Sequence, residues 1–418
     1  MSSTHLMTKE DNVLKQIITA AVLILPFIFY LDLRPIIAGP ISDVLTVKSV
    51  LGYLFCCMIV FYCLYSKGIP RNGFKFPSIL LFYLSIHLLV TPQYQIKLLG
   101  ENVSGIWIAR EFNDLLLFYL MIMAVSSIAW GTNSLRKLFE VICYVNLLCS
   151  LYIFVQFLGF DQWQRVLDIQ NIWAQNNPHI TSFLGQSTTS STFLALTLPF
   201  LICNRKWGFI PFCLGAIWIA DSMTAYMMVG VVVFLYLFFR CGVFIRLLLS
   251  VGFIYLWNEV TLNINKYYQL VVSECSGRFN VWKDAFTQVI HSPFLEIQNV
   301  FLTGYGFGSY EFIQKNLSTS GFVELHNEYL EIFCTTGIIG FILLFFSLFM
   351  LIKRIFMINI IDRYRFAAIT CFFAVCCGNT IHFMWQLEPH RFYTCIMLGI
   401  ILNYINKEKK GCLKKLHY

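Results

Sequence analysis

The sequence predicts an all-α polytopic membrane protein of about twelve transmembrane helices, with a large extracytoplasmic loop containing amphipathic helices between the ninth and tenth. Three observations carry this. Of 418 residues, 58% are hydrophobic and only 12% charged, about half the charge of a soluble domain. The apolar residues fall into runs near the length of about 20 residues that a bilayer demands. Lysine and arginine gather in short segments after alternate runs, the bias that sets orientation in a membrane. The same placement removes nucleic acid as a reading of the +8 net charge, because the positives form no continuous phosphate-reading face.

In order, the runs are 14–31, 46–66, 76–92, 113–131, 138–159, 181–203, 207–221, 223–239, 243–258, 326–352, 366–386 and 391–406. The seventh to ninth are short or closely spaced, and merging them gives ten or eleven. Basic groups follow the even-numbered runs: Lys67, Arg71 and Lys75; Arg136 and Lys137; Arg205 and Lys206; Arg240 and Arg246; Lys353, Arg354, Arg363 and Arg365; then the lysine tail. Both termini are therefore expected in the cytoplasm. The chain divides into an N-terminal bundle, 1–258, the polar loop, 259–325, the C-terminal helices, 326–406, and a basic tail, 407–418. The first fifteen residues lack a small-residue cleavage site, so Met1 onward is expected to be retained.

Nearly all of the 15 cysteines lie inside apolar runs, where a thiol behaves as a small hydrophobe. Only Cys275 falls in the loop, so neither a disulfide framework nor a metal cage is implied. No D-x-D or H-x-x-x-H pair marks a metal site, and no metal is expected.

The loop is patterned. Trp282, Ala285, Phe286, Val289 and Ile290 recur at helical spacing, which predicts an amphipathic helix lying on the outer leaflet. His291-Ser292-Pro293 ends it, because a residue before proline is pushed out of helical geometry. Gly304-Tyr305-Gly306-Phe307-Gly308 follows no predicted strand, so it reads as a tight turn holding Tyr305 and Phe307 against the membrane rather than as a nucleotide loop. Gly337 and Gly340, three apart in an apolar run, read as close helix packing.

The candidate chemistry sits at Leu325-His326-Asn327-Glu328-Tyr329-Leu330-Glu331, where the loop turns back into an apolar run. Polar groups there are costly unless water or a ligand meets them. His326 precedes Asn327, a good N-cap, so the positive end of a helix dipole favours its neutral form. Such a histidine either anchors a helix end or accepts a proton from a hydroxyl as general base. Arg278 lies four residues before Trp282, on one helical face. It is a snorkelling arginine among headgroups or a bidentate clamp on a diphosphate.

Taken in order, Arg278 to Trp282, the glycines 304, 306 and 308, His326 to Glu331, and Gly337 to Gly340 resemble the O-antigen ligase and O-antigen polymerase superfamily. These are bacterial inner-membrane glycosyltransferases. The likeness in motifs covers residues 275–345; elsewhere it is one of hydropathy. It implies transfer of a glycan from an undecaprenyl diphosphate carrier to an acceptor hydroxyl at the periplasmic face. The acceptor is lipid A–core for a ligase and a further repeat unit for a polymerase. It also implies His326 as the catalytic residue and Arg278 as a contact to the lipid-linked diphosphate. No cofactor is needed, because a diphosphate is already a good leaving group. Family members carry a second arginine, in an S-R or T-R pair, at the outer end of the span that here begins Asp221-Ser222-Met223-Thr224. This chain has Met223 there. Arg391, beside His390, is the candidate replacement in diphosphate binding, ahead of Arg110 and Arg34. The partners implied are the lipid-linked glycan, the acceptor glycan or lipid A–core, and membrane lipids. The rival class is a flippase for lipid-linked glycans. It calls for charges buried at mid-span, which spans two to six nearly lack. A scaffold in envelope assembly is a third class.

Overall fold

The structure, a computed structural model, describes residues 9–28, 47–67, 79, 82–85, 105–160, 182–184, 187–240, 242–263, 278–290, 300–306, 327–357, 362–381 and 389–415. The described residues are helical throughout their ordered elements, with no strand among them. The expected apolar runs form α1 (Lys9–Ile24), α2 (Val47–Lys67), α3 (Gly105–Ser127), α4 (Thr132–Phe157), α5 (Ser187–Cys203), α6 (Ile210–Ala220), α7 (Met223–Arg240) and α8 (Val243–Leu262). The loop contributes α9 (Arg278–Ile290) and the single turn α10 (Val300–Thr303). They are followed by α11 (Glu328–Phe356), α12 (Arg363–Gly378) and α13 (His390–Lys415). Most of the run 76–92 lies outside the described residues.

Among the described residues, four helices are long and apolar enough to cross a membrane: Val50–Lys67, Thr132–Phe157, Met223–Arg240 and Glu328–Phe356. Other apolar helices, Ser187–Cys203 among them, are shorter. The basic tail is not an appendage, since α13 continues through it to Lys415. Lys407 is part of the fold, donating to the Trp130 carbonyl at 3.4 Å.

At the centre stands α5, with every residue from Thr189 to Leu201 buried. Its small hydroxyl side chains satisfy themselves within the helix. Thr192 donates to the Thr188 carbonyl at 2.7 Å and Thr197 to the Phe193 carbonyl at 2.8 Å. This hides their polarity and leaves little bulk, so α4, α6, α7 and α12 close around the helix. Asn146 of α4, fully buried, donates to Thr197 Oγ1 at 2.7 Å and the Leu194 carbonyl at 3.2 Å. An amide held this way fixes the register of two helices in an apolar interior.

The basic groups gather at one end of the bundle. Lys67 pairs with Asp11 and donates to the Ser127 carbonyl at 3.2 Å. Asn403 donates to the carbonyls of Ser126 and Ile128 at 2.7 and 2.8 Å, capping the orphan carbonyls at the end of α3. Arg365 lies 3.5 Å from the centre of the Tyr404 ring, and Cys203 Sγ donates to the Arg363 carbonyl at 3.4 Å. The described members of the clusters expected to mark one face of the membrane thus share one end of the molecule. The start of α11 and the end of α12 lie together at the other.

Candidate active site

The site is organised by a break in α11. Gly337 has φ 66° and ψ −170°, a conformation that is essentially confined to glycine. The break stops the ordinary ladder, so the carbonyls of Cys334 and Thr335 need other donors. They find them in the loop after α10: Tyr305 N–H donates to Cys334 at 2.9 Å and Gly306 N–H to Thr335 at 2.8 Å. Gly304 and Gly306 take φ of 72° and 95° to make this approach. A side chain on Gly304 would lie 2.5 Å from the Gly337 nitrogen and the Thr335 carbonyl. The two glycine motifs, separate in sequence, therefore form one lock between loop and helix.

This corrects two expectations. Gly337 serves a helix break rather than regular helix-on-helix packing. Tyr305 is 8% exposed and packs with Val300, Phe333 and Cys334 instead of facing lipid. Phe307 and Gly308 lie outside the described residues.

α9 docks on the same structure. It spans the segment expected and ends at Ile290, just before His291-Ser292-Pro293. Its buried stripe is Val281, Ala285 and Val289, set against Val300, Phe333 and Cys334. The face expected on the outer leaflet is thus largely consumed by packing within the chain. Phe286 remains 49% exposed. The expected stripe was rotated from the buried one by about one residue: Trp282 and Phe286 outweigh Val281 in bulk, yet Trp282 packs only partly buried against the cluster and Phe286 meets the Phe333 ring at 5.8 Å from a half-exposed position. Arg278 is the first residue of α9, so its backbone is held by a helix seated on α11.

At the start of α11, Asn327 is the N-cap, its Oδ1 accepting from the Leu330 N–H at 3.0 Å. Glu328 and Glu331 fill the first turn, where negative charge complements the helix dipole. His326, immediately before this cap, lies outside the described residues. The turn is tied to the end of α12. Glu328 N–H donates to the Asn379 carbonyl at 3.1 Å, and Tyr329 Oη donates to the Cys376 carbonyl at 2.8 Å.

Asn379 is the residue that sequence reasoning missed. It is fully buried, yet neither oxygen nor nitrogen of its amide has a hydrogen-bond partner among the described residues. An orphaned buried amide costs about 1–3 kcal/mol. The signal was present in Gly378-Asn379-Thr380, a polar step inside the apolar run 366–386, which in a membrane marks function by default.

The remaining candidates stand elsewhere. Arg391 Nη1 donates to Tyr53 Oη at 3.5 Å. With Leu117, Phe118 and Cys395, these two line a cavity of only about 10 Å³. Its described contacts lie with α2 and α3, and none brings it to Asn327 or Glu328. His390 is fully buried, with Nε2 3.1 Å from Thr192 Oγ1 and its ring edge-on to Phe193, a link between α13 and α5. Met223 is 64% exposed. Asp221, in a left-handed turn with φ 46°, accepts from Tyr226 Oη at 3.1 Å and so has its own partner. Arg110 lies in α3, and Arg34 is outside the described residues.

Residues 187–345, from the start of α5 to the middle of α11, match the family model described as O-antigen ligase. This match supports the O-antigen ligase and polymerase superfamily. The resemblance drawn from the motifs is borne out. The O-antigen ligase segment includes Arg278, the glycine lock, His326 and the broken α11, and it stops before Asn379 and Arg391. No curated protein matches the chain.

Proposed function

We propose that this protein transfers a glycan from an undecaprenyl diphosphate carrier to an acceptor hydroxyl at the periplasmic face. The observation that carries the reading is the docking of α9 on α11, sealed by the glycine lock. The helix that begins with Arg278 and the helix that follows His326 are thereby held on one another inside the O-antigen ligase segment. In this reading the acceptor oxygen attacks the anomeric carbon and His326 takes the hydroxyl proton. The bond from that carbon to the diphosphate oxygen breaks, and its electron pair leaves with the diphosphate. Arg278 neutralises the leaving group through paired N–H donors, with Arg391 as the second cation. Asn379 offers its buried amide to a substrate oxygen. The chain crosses the inner membrane about twelve times with both termini in the cytoplasm, as the clustering of the basic residues at one end supports. Charged groups at a mouth rather than along a mid-span path favour this over a flippase.

Two variants test the site in one transfer assay. Arg278→Lys should lose most activity although charge is retained, since an ammonium cannot make the two parallel bonds of a guanidinium. Wild-type transfer would make Arg278 a headgroup anchor. Asn379→Ala should lower transfer while leaving Tm unchanged or raised, because it removes an unpaired buried amide. A fall in Tm with normal transfer would assign Asn379 to the fold alone.

A further inference from the structure

At the basic end, away from the proposed active site, a cavity of about 170 Å³ opens between α5, α7 and α12. Three arginines from three segments line it: Arg205 after α5, Arg240 at the end of α7 and Arg363 at the start of α12. All three are exposed, and none has a carboxylate within ion-pair distance among the described residues. Two are held in place. The Arg240 guanidinium lies 4.9 Å from the centre of the Phe366 ring, and Arg363 Nη2 donates to Tyr364 Oη at 2.8 Å. Each guanidinium has five N–H donors, so most remain available. The deeper lining is apolar: Pro199, Val232, Phe366 and Ala367.

Three like charges converging without a counter-charge repel one another, and an anion between them removes that cost. Guanidinium forks fit phosphate oxygens. The volume is smaller than that of ordinary small-molecule pockets, which begin near about 300 Å³, so it suits a headgroup rather than a nucleotide sugar. Basic pockets between transmembrane helices on the cytoplasmic side are the sites where anionic lipid headgroups bind. We propose that Arg205, Arg240 and Arg363 form a seat for a phosphate ester, occupied by the headgroup of an anionic phospholipid whose glycerol end rests on the apolar lining. Nothing in the transfer reaction requires this seat, and it stands whether or not that reading holds.

The test is titration of the full-length, detergent-purified protein with phosphatidylglycerol, with bound lipid counted by native mass spectrometry. Near a membrane surface each arginine contributes about 1 kcal/mol, on the order of fivefold in affinity. Single Gln variants at the three positions should each weaken lipid binding by about that factor, and the triple variant by on the order of 100-fold. Arg136→Gln, which removes an exposed charge already paired with Glu140, should bind like wild type, as should all variants with zwitterionic phosphatidylcholine. Monodisperse elution and an unchanged lipid-free Tm show that the variants are folded. Competition by millimolar inorganic phosphate would keep the three arginines as the seat and assign a free phosphate as occupant. Equal phosphatidylglycerol binding by the triple variant and wild type would overturn the proposal.

Discussion

His326→Ala is expected to leave a folded, membrane-inserted protein in which glycan transfer is nearly gone. A general base supplies about 10²–10⁴-fold in rate, and the loss should fall within that range. The fold should persist because the N-cap is made by Asn327, and the start of α11 is tied to α12 by Glu328 and Tyr329. Complementation of a deletion strain reads the loss. Enzymatic probing of the lipid-linked glycan from the periplasmic side then separates enzyme from transporter. A lost transfer step leaves the donor on the periplasmic side, downstream of its delivery. A lost flippase strands it on the cytoplasmic side. Normal polysaccharide in the variant would remove His326 from the chemistry.

The second large effect is structural. Gly337→Ala is expected to destabilise the protein by on the order of 3–5 kcal/mol, combining a glycine-only conformation with overpacking. The new methyl group would lie 2.5 Å from the Gly304 nitrogen and press on the Leu302 carbonyl. Both are backbone groups, which cannot rotate aside. The loop after α10 would detach, freeing the carbonyls of Cys334 and Thr335 and loosening α9 from α11. Thermal unfolding in detergent should show a clear fall in Tm, together with loss of transfer. Gly208→Ala, where nothing lies within 4 Å, is the control and should melt like wild type. If Gly337→Ala and wild type melt together, the lock does not hold the two helices.

The contrast between these glycines and the apolar runs shows what a sequence exposes. Helix positions were legible because hydropathy along a chain is local: α2, α7 and α11 follow their expected runs closely. The end of α9 was legible for the same reason, since His291-Ser292-Pro293 acts on its own neighbours. The lock was not, because Gly304 and Gly337 take their meaning from each other across more than thirty residues. A glycine that breaks a helix and one that packs helices look alike without the partner. Likewise the buried stripe of α9 depended on its partners Val300, Phe333 and Cys334, and bulk misled by one position. Asn379 was hidden for another reason. Its polarity was plain, but its isolation emerged only when α12 ended against the first turn of α11. Arg391 was chosen for its nearness to an expected outer mouth, and one of its contacts is with Tyr53 of α2.

The central claim, glycan transfer from a lipid diphosphate, is tested most directly by reconstitution. The purified protein would be supplied with a synthetic undecaprenyl diphosphate-linked glycan and an acceptor bearing a free hydroxyl, without nucleotide. The account predicts release of undecaprenyl diphosphate in step with glycan appearing on the acceptor, and neither from the His326→Ala protein. Glycan transfer at the same rate by wild type and His326→Ala, or no release of undecaprenyl diphosphate by a folded wild-type protein with lipid A–core or with a repeat-unit acceptor, would contradict it.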